Sequence, residues 1–121
     1  MKTTTTNPDL YMGLGSAVYA LTKLDGRLQL AEMQTVKELL ASEPHGDLAL
    51  YAFFLRENTD ESVEEAYAFA MRRFANQPQK LDEDTKKRFV GILQKVADSH
   101  DDTSRKEREF IQRFRRDIRR Y

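Results

Sequence analysis

Apolar residues return along this chain with the period of a helix. Leu10, Leu14, Ala17, Val18, Leu21 and Leu24 recur at that spacing after Asn7-Pro8, an N-cap residue followed by proline at the first helical position. Gly26 is placed to stop this helix. Met33, Val36, Leu39 and Leu40 predict a second helix over about Leu30–Ala41, broken by Ser42-Glu43-Pro44-His45-Gly46. Asp47 is expected to cap a short apolar helix from Leu48 to about Arg56. Thr59 or Asp60 is expected to cap the next, whose stripe is Val63, Ala66, Tyr67, Ala70 and Phe74. After a loop at 76–80 containing Pro78, Asp82 opens a helix carrying Phe89, Ile92, Leu93 and Val96. An acidic loop at 98–102 leads into Ser104-Arg105-Lys106-Glu107, which has the form of a capping box. The last helix turns Phe110, Ile111, Phe114 and Ile118 inward. No stretch alternates with period two over a useful length. The pattern predicts an all-α, single-domain bundle of about six helices over residues 8–121, with a disordered tail at 1–7.

A shift of 75 residues lays the first helix pair on the last. Leu14 falls on Phe89, Ala17 on Ile92, Val18 on Leu93 and Leu21 on Val96; beyond the loop, Glu32 falls on Glu107, Val36 on Ile111 and Leu39 on Phe114. One shift serves the helices on both sides of the loop, so loop length and relative phase agree as well as spacing. Two pseudo-repeated helix–loop–helix units are therefore expected, each burying its stripe against the other. The mismatches sit in the loop, where Leu24, Asp25, Gly26 and Leu28 face Ser99, His100, Asp101 and Thr103.

Composition narrows the function classes. The chain has 121 residues, 40% apolar and 33% charged, enough to bury the core of one ordinary domain. Net charge is zero, yet residues 104–121 hold eight basic against three acidic side chains, a net of +5, and the preceding 103 residues carry −5. That split concerns partners more than fold. The absence of cysteine removes disulfides, thiolate metal sites and thiol nucleophiles. The opening MKTTTTNPDL is not an apolar signal segment, and the nearest approach to a bilayer span is Leu48–Leu55. A cytoplasmic protein that is not integral to the membrane is expected.

The stretch Leu21-Thr22-Lys23-Leu24-Asp25-Gly26-Arg27-Leu28-Gln29-Leu30-Ala31-Glu32 resembles the signature of the tellurite-resistance TerB-like family. That signature is an apolar helix ending in Asp-Gly, an apolar loop residue, and a glutamate seven positions after the aspartate, as Glu32 follows Asp25. Ser104–Glu107 is similar to the family's looser second copy, although His100-Asp101 stands where Asp-Gly would be expected. The resemblance implies an all-helical cytoplasmic bacterial domain linked to tellurite and stress resistance, working beside membrane- and metal-associated partners. The chain's own composition argues against direct redox chemistry on a chalcogen oxyanion, since it lacks a thiol and any flavin, haem or nicotinamide motif.

Two acidic loops are candidates for a divalent cation. Asp25-Gly26 with Glu32 matches the second half of an EF-hand loop, but Leu21 and Lys23 would occupy its first and third ligand positions. A structural reading competes, in which Gly26 supplies a left-handed turn and Glu32 bonds back to the start of its helix. In the second loop Asp98, Asp101 and Asp102 could hold a hard cation weakly, or simply favour the N-terminus of the following helix. The third candidate is the basic C-terminal helix, from which Arg113, Arg116 and Arg120 are nominated as partner-binding residues. A nucleic acid is disfavoured because the acidic remainder would repel a polyanion. Phe53 and Phe69 lie off the main stripes of their helices and would form a partner patch if both reached solvent; the other aromatics, Tyr51 among them, are expected in the core, and His45 in solvent. No nucleophile elbow or phosphate loop is present. The expected function is a non-enzymatic interaction module with a protein partner, membrane-associated in the family's setting. Metal binding or sensing through the acidic loops is the alternative.

Overall fold

A computed structural model describes residues 7–24, 30–76, 81–99 and 103–121. They form six helices: α1 (Pro8–Lys23), α2 (Leu30–Ala41), α3 (Gly46–Thr59), α4 (Val63–Ala75), α5 (Glu83–Ala97) and α6 (Arg105–Ile118). Among the described residues there is no strand.

The helix starts follow local chemistry. Asn7 Oδ1 accepts the Asp9 N–H at 2.9 Å ahead of Pro8. Asp82 accepts the Thr85 N–H at 2.7 Å, and the Ser104–Glu107 capping box closes in both directions, at 2.8 and 3.1 Å. Two expected caps differ. Ser62, not Thr59 or Asp60, caps α4 through the Glu65 N–H. Asp60 instead ends α3 in the left-handed conformation, at φ 53°. Helix α3 is also longer than its apolar run: it starts at Gly46, before Asp47, with His45 as a left-handed N-cap at φ 55°, and it continues past Arg56 to Thr59. A reading confined to apolar residues stops at Arg56 because Glu57-Asn58-Thr59 carries no apolar signal.

Helix α1 is the centre of the bundle. It packs most extensively on α3 and α4, and its buried residues run from Leu10 to Thr22 with Met12 alone interrupting them. It is thus a core helix more than an amphipathic one, which its glycines permit. A Cβ on Gly15 would lie 2.1 Å from the Ala49 carbonyl oxygen, so α3 can approach only because that atom is missing. Ser16 Oγ donates to the Ala66 carbonyl of α4 at 2.7 Å, and the Tyr19 hydroxyl donates to the Glu61 carbonyl at 2.6 Å, satisfying polar groups carried inside.

Leu21, Val36, Val96 and Ile111 all belong to one core cluster with Phe53, Phe74, Phe89 and Phe114. Packing of the first and last hairpins around a common interior is therefore observed. Common burial is what any amphipathic bundle produces, however, and it does not by itself establish a repeat.

Candidate functional site

The metal candidates fall partly outside the described residues. Asp25, Asp101 and Asp102 lie there, with Gly26 and His100. Glu32 is buried in the first turn of α2, 3% exposed, on the face that carries Val36 and Leu40. Its counterpart under the 75-residue shift, Glu107, is also buried, and its carboxylate accepts the Ser104 N–H. Asp98 is exposed at the end of α5, and one of its oxygens, Oδ1, accepts from both Gln94 Nε2, at 3.0 Å, and the Thr103 hydroxyl. Among the described residues, no three histidine or carboxylate side chains come together around a common point.

The aromatic patch does not form. Phe53 is fully buried between Tyr19 and Phe54 in edge-on contacts, so the pair cannot reach solvent together. Phe69 is covered by two guanidinium groups, Arg56 at 3.8 Å and Arg73 at 4.8 Å from its ring centroid. Arg56 lies inside the fold, donates from one terminal nitrogen to the Ala52 carbonyl at 3.0 Å, and leaves Nε without a hydrogen bond. Burial lowers its pKa from the ordinary guanidinium value. Tyr51, expected in the core, is 58% exposed instead, because α3 turns Ala52 and Phe53 inward and Tyr51 outward. His45 is only partly exposed, with its ring 5.9 Å from that of Tyr11.

Helix α6 sorts its cations by flank. Its core face carries Glu107, Phe110, Ile111, Phe114 and Ile118. Toward α4 the charges are matched. Arg113 forks onto both oxygens of Glu64, each at 3.0 Å, and lies 3.9 Å over the ring of Tyr67. The Tyr67 hydroxyl donates to Asp117 Oδ2 at 2.6 Å. The Arg113 hydrogen bond holds the Glu64 carboxyl below its ordinary pKa, while burial and then the bond to Asp117 push the Tyr67 phenol well above its own. One nominated residue, Arg113, is thus engaged within the chain. Arg116 and Arg120 are exposed, with Arg116 Nε 3.7 Å from Asp117.

Toward α5 the cations outnumber the acids. Here α5 and α6 border a groove of about 540 Å³ lined by Lys86, Lys87, Arg115 and Arg119 over Val90, Gly91 and Ile118, with Glu83 at one end. Lys86 sits on the same stripe as Phe89 and Leu93 and is 9% exposed. Its stem lies along the core while Nζ emerges at the groove, 3.5 Å from both Glu83 Oε2 and the Arg119 carbonyl. Among the described residues, the side chains of Lys87, Arg115 and Arg119 form no hydrogen bond or ion pair. What this arrangement can do is bind anionic groups beside an apolar surface; its volume is in the range of binding clefts.

Arg115 and Arg119 belong to the basic helix that the sequence offers as a candidate, but the sequence singles out neither them nor the α5 side of the groove. Two signals were present. A lysine stood on a buried stripe at 86, and a glycine stood inside the helical pattern at 91 without a break around it. Which arginines remain unpaired required knowing which helix lies on each flank of α6.

No helix among the described residues is long and apolar enough to cross a membrane. Comparison with family profiles, with characterised proteins and with solved structures gives no match.

Proposed function

We propose that this chain is a non-enzymatic interaction module that uses the α5–α6 groove to bind an acidic protein surface, in a TerB-like role within a bacterial stress or tellurite- and metal-resistance assembly. The observation that carries the reading is the pair Arg115 and Arg119, spaced by one helical turn and unpaired, over a groove that also holds Lys86 and Lys87. Unneutralised cations around an apolar floor cost little while exposed to water and gain most when a partner brings carboxylates and excludes that water. The family setting is supported by the Leu21–Glu32 resemblance.

Divalent-cation binding at the acidic loops is the second reading. It draws on Glu32, a carboxylate buried in the first turn of α2 and already partnered there, and is weakened by the capping role of Glu107 and the bonds already made by Asp98.

The test is affinity capture from the cell of origin with wild type and with Arg115→Glu/Arg119→Glu. The charge-reversed chain should lose a defined set of acidic partners while melting like wild type. Retention of the same proteins by both chains would remove the groove from the function. Growth of a deletion strain on tellurite tests the setting: equal sensitivity with and without the gene would exclude it.

A further inference from the structure

Two features of the molecule lack a counterpart within it, and they complement each other. One is the groove described above, and Gly91 is its least explained residue. It stands in the middle of α5, where glycine weakens a helix, and a Cβ built on it meets nothing within 4 Å. No packing demand inside the chain therefore calls for glycine. A bare stretch of helix backbone in a groove does suit a partner that must come closer than a side chain allows.

The other feature is the outer face of α3. Leu48, Tyr51 and Leu55 follow one another at helical spacing; Leu48 is partly exposed, Tyr51 58% and Leu55 42% exposed. They form an apolar ridge with Asp47 one turn before Tyr51 on the same side, exposed and, among the described residues, without an ion pair. The ridge thus offers apolar surface beside an unpaired acid, and the groove offers an apolar floor rimmed by Lys87, Arg115 and Arg119, none of them in an ion pair among the described residues. Because α3 packs mainly on α1 and α2 while the groove lies on α5 and α6, a molecule does not place its ridge in its own groove. Zero net charge leaves little long-range repulsion between copies.

We infer that the partner of the α5–α6 groove is a second copy of this chain, which seats the Leu48–Tyr51–Leu55 ridge of α3 over Gly91 and sets Asp47 among Lys87, Arg115 and Arg119. The inference rests on the groove being a protein-binding face. The contact is heterologous, since it joins two different surfaces, so each added copy presents a fresh ridge and a fresh groove. One helix laid in one groove is a small interface, so association is weak and concentration-dependent.

Sedimentation velocity on the full chain tests this, with Gly91→Gln as the groove variant and Tyr51→Ser/Leu55→Ser as the ridge variant. Both alter exposed or open positions, and thermal melts establish that each folds. Wild type should grow in mass from roughly 10 µM to 1 mM, the range expected of so small an interface. Raising salt from about 0.02 to 0.5 M, which shortens the screening length from ~20 to ~4 Å, should reverse much of that growth. Each variant alone should remain monomeric. Mixed, they should form a one-to-one dimer that grows no further, because only the intact ridge of the groove variant and the intact groove of the ridge variant remain to pair. A wild type that stays monomeric, a Gly91→Gln chain that associates like wild type, or a mixture that fails to dimerise would each overturn the inference. If copies stay monomeric while Arg115→Glu/Arg119→Glu still strips acidic partners from an extract, the self-pairing alone falls. If charge reversal changes neither readout, the reading of the groove falls with it.

Discussion

The same substitution, glycine to alanine, should move stability in opposite directions at two helical positions. At Gly91 the new methyl enters open space, so the change reduces to helix propensity, a gain of about 1 kcal/mol. For a domain of this size that raises the melting temperature by roughly 3–5 °C. At Gly15 the methyl would lie 2.1 Å from the Ala49 carbonyl oxygen and 2.9 Å from its carbon. Both atoms are backbone, so no rotamer change relieves the overlap; α1 and α3 must separate by about 1 Å to restore contact distance. Separation loosens one of the two most extensive helix pairs and the fully buried Phe53. Overpacking of this kind costs roughly 1–3 kcal/mol, and a rigid backbone obstacle places it at the upper end. After the propensity gain is subtracted, Gly15→Ala should lose about 2 kcal/mol. Urea unfolding of the two variants should therefore differ by about 3 kcal/mol, with wild type between them. A Gly15→Ala chain as stable as wild type would refute the close α1–α3 approach. A destabilised Gly91→Ala chain would mean that Gly91 is required by the isolated fold, and it would remove the reason for assigning it to a partner.

Three further outcomes follow from the charged and polar contacts. Tyr67→Phe removes the hydrogen bond to Asp117 and should cost roughly 1.5 kcal/mol in urea unfolding, the usual loss for a bond to a charged group; in the wild type, Tyr67 should also ionise above the ordinary phenol range in an ultraviolet titration. Glu64 and Asp82 both have folded pKa values below their ordinary ones, through Arg113 and the Thr85 N–H respectively. The unfolded chain therefore takes up protons first as pH falls; their stabilisation is complete above the unfolded values and is lost as pH falls through the folded ones, from about pH 5 downward, and Glu64→Gln should flatten that decline. Arg56→Met keeps the stem packed on Phe69 but removes the cation that donates to the Ala52 carbonyl and lies 3.8 Å from Glu61, so urea unfolding should show a loss of roughly 1–3 kcal/mol, whereas unchanged or raised stability would show that burying the cation costs as much as its contacts return.

The six helices were legible because their stripes and caps are local. Asn7-Pro8, Asp82 and Ser104–Glu107 each act within three residues of themselves, so the pattern that predicts them is complete in sequence. The errors came where tertiary contact overrides that pattern. Helix α3 carries apolar residues on every side from Leu48 to Leu55, which leaves its inward face undetermined by periodicity. Ala49, Ala52 and Phe53 were chosen for the interior by the fit of Ala49 against Gly15, and Tyr51 was left outside as a result. The core status of α1 was hidden for a related reason: glycine and serine are small enough to be buried, but they give no apolar signal of their own.

The candidate site is a harder case, since a charged helix does not disclose where its charge is unbalanced. From the sequence, both flanks of α6 are basic, and Arg113, Arg116 and Arg120 were as good a choice as any. The fold then sets Glu64 of α4 against Arg113 and neutralises it, while the groove side of α5 sets Lys86 and Lys87 near Arg115 and Arg119 and adds to their charge. Net charge over residues 104–121 is therefore a poor guide to the binding face; the sign of the neighbouring helix on each flank decides it. The same reasoning explains why a chain of zero net charge need not be inert. Its ion pairs are spread over several helix contacts, and the groove, where Glu83 pairs with Lys86 but not with Lys87, Arg115 or Arg119, retains a local excess of cations that a surface from another molecule can neutralise.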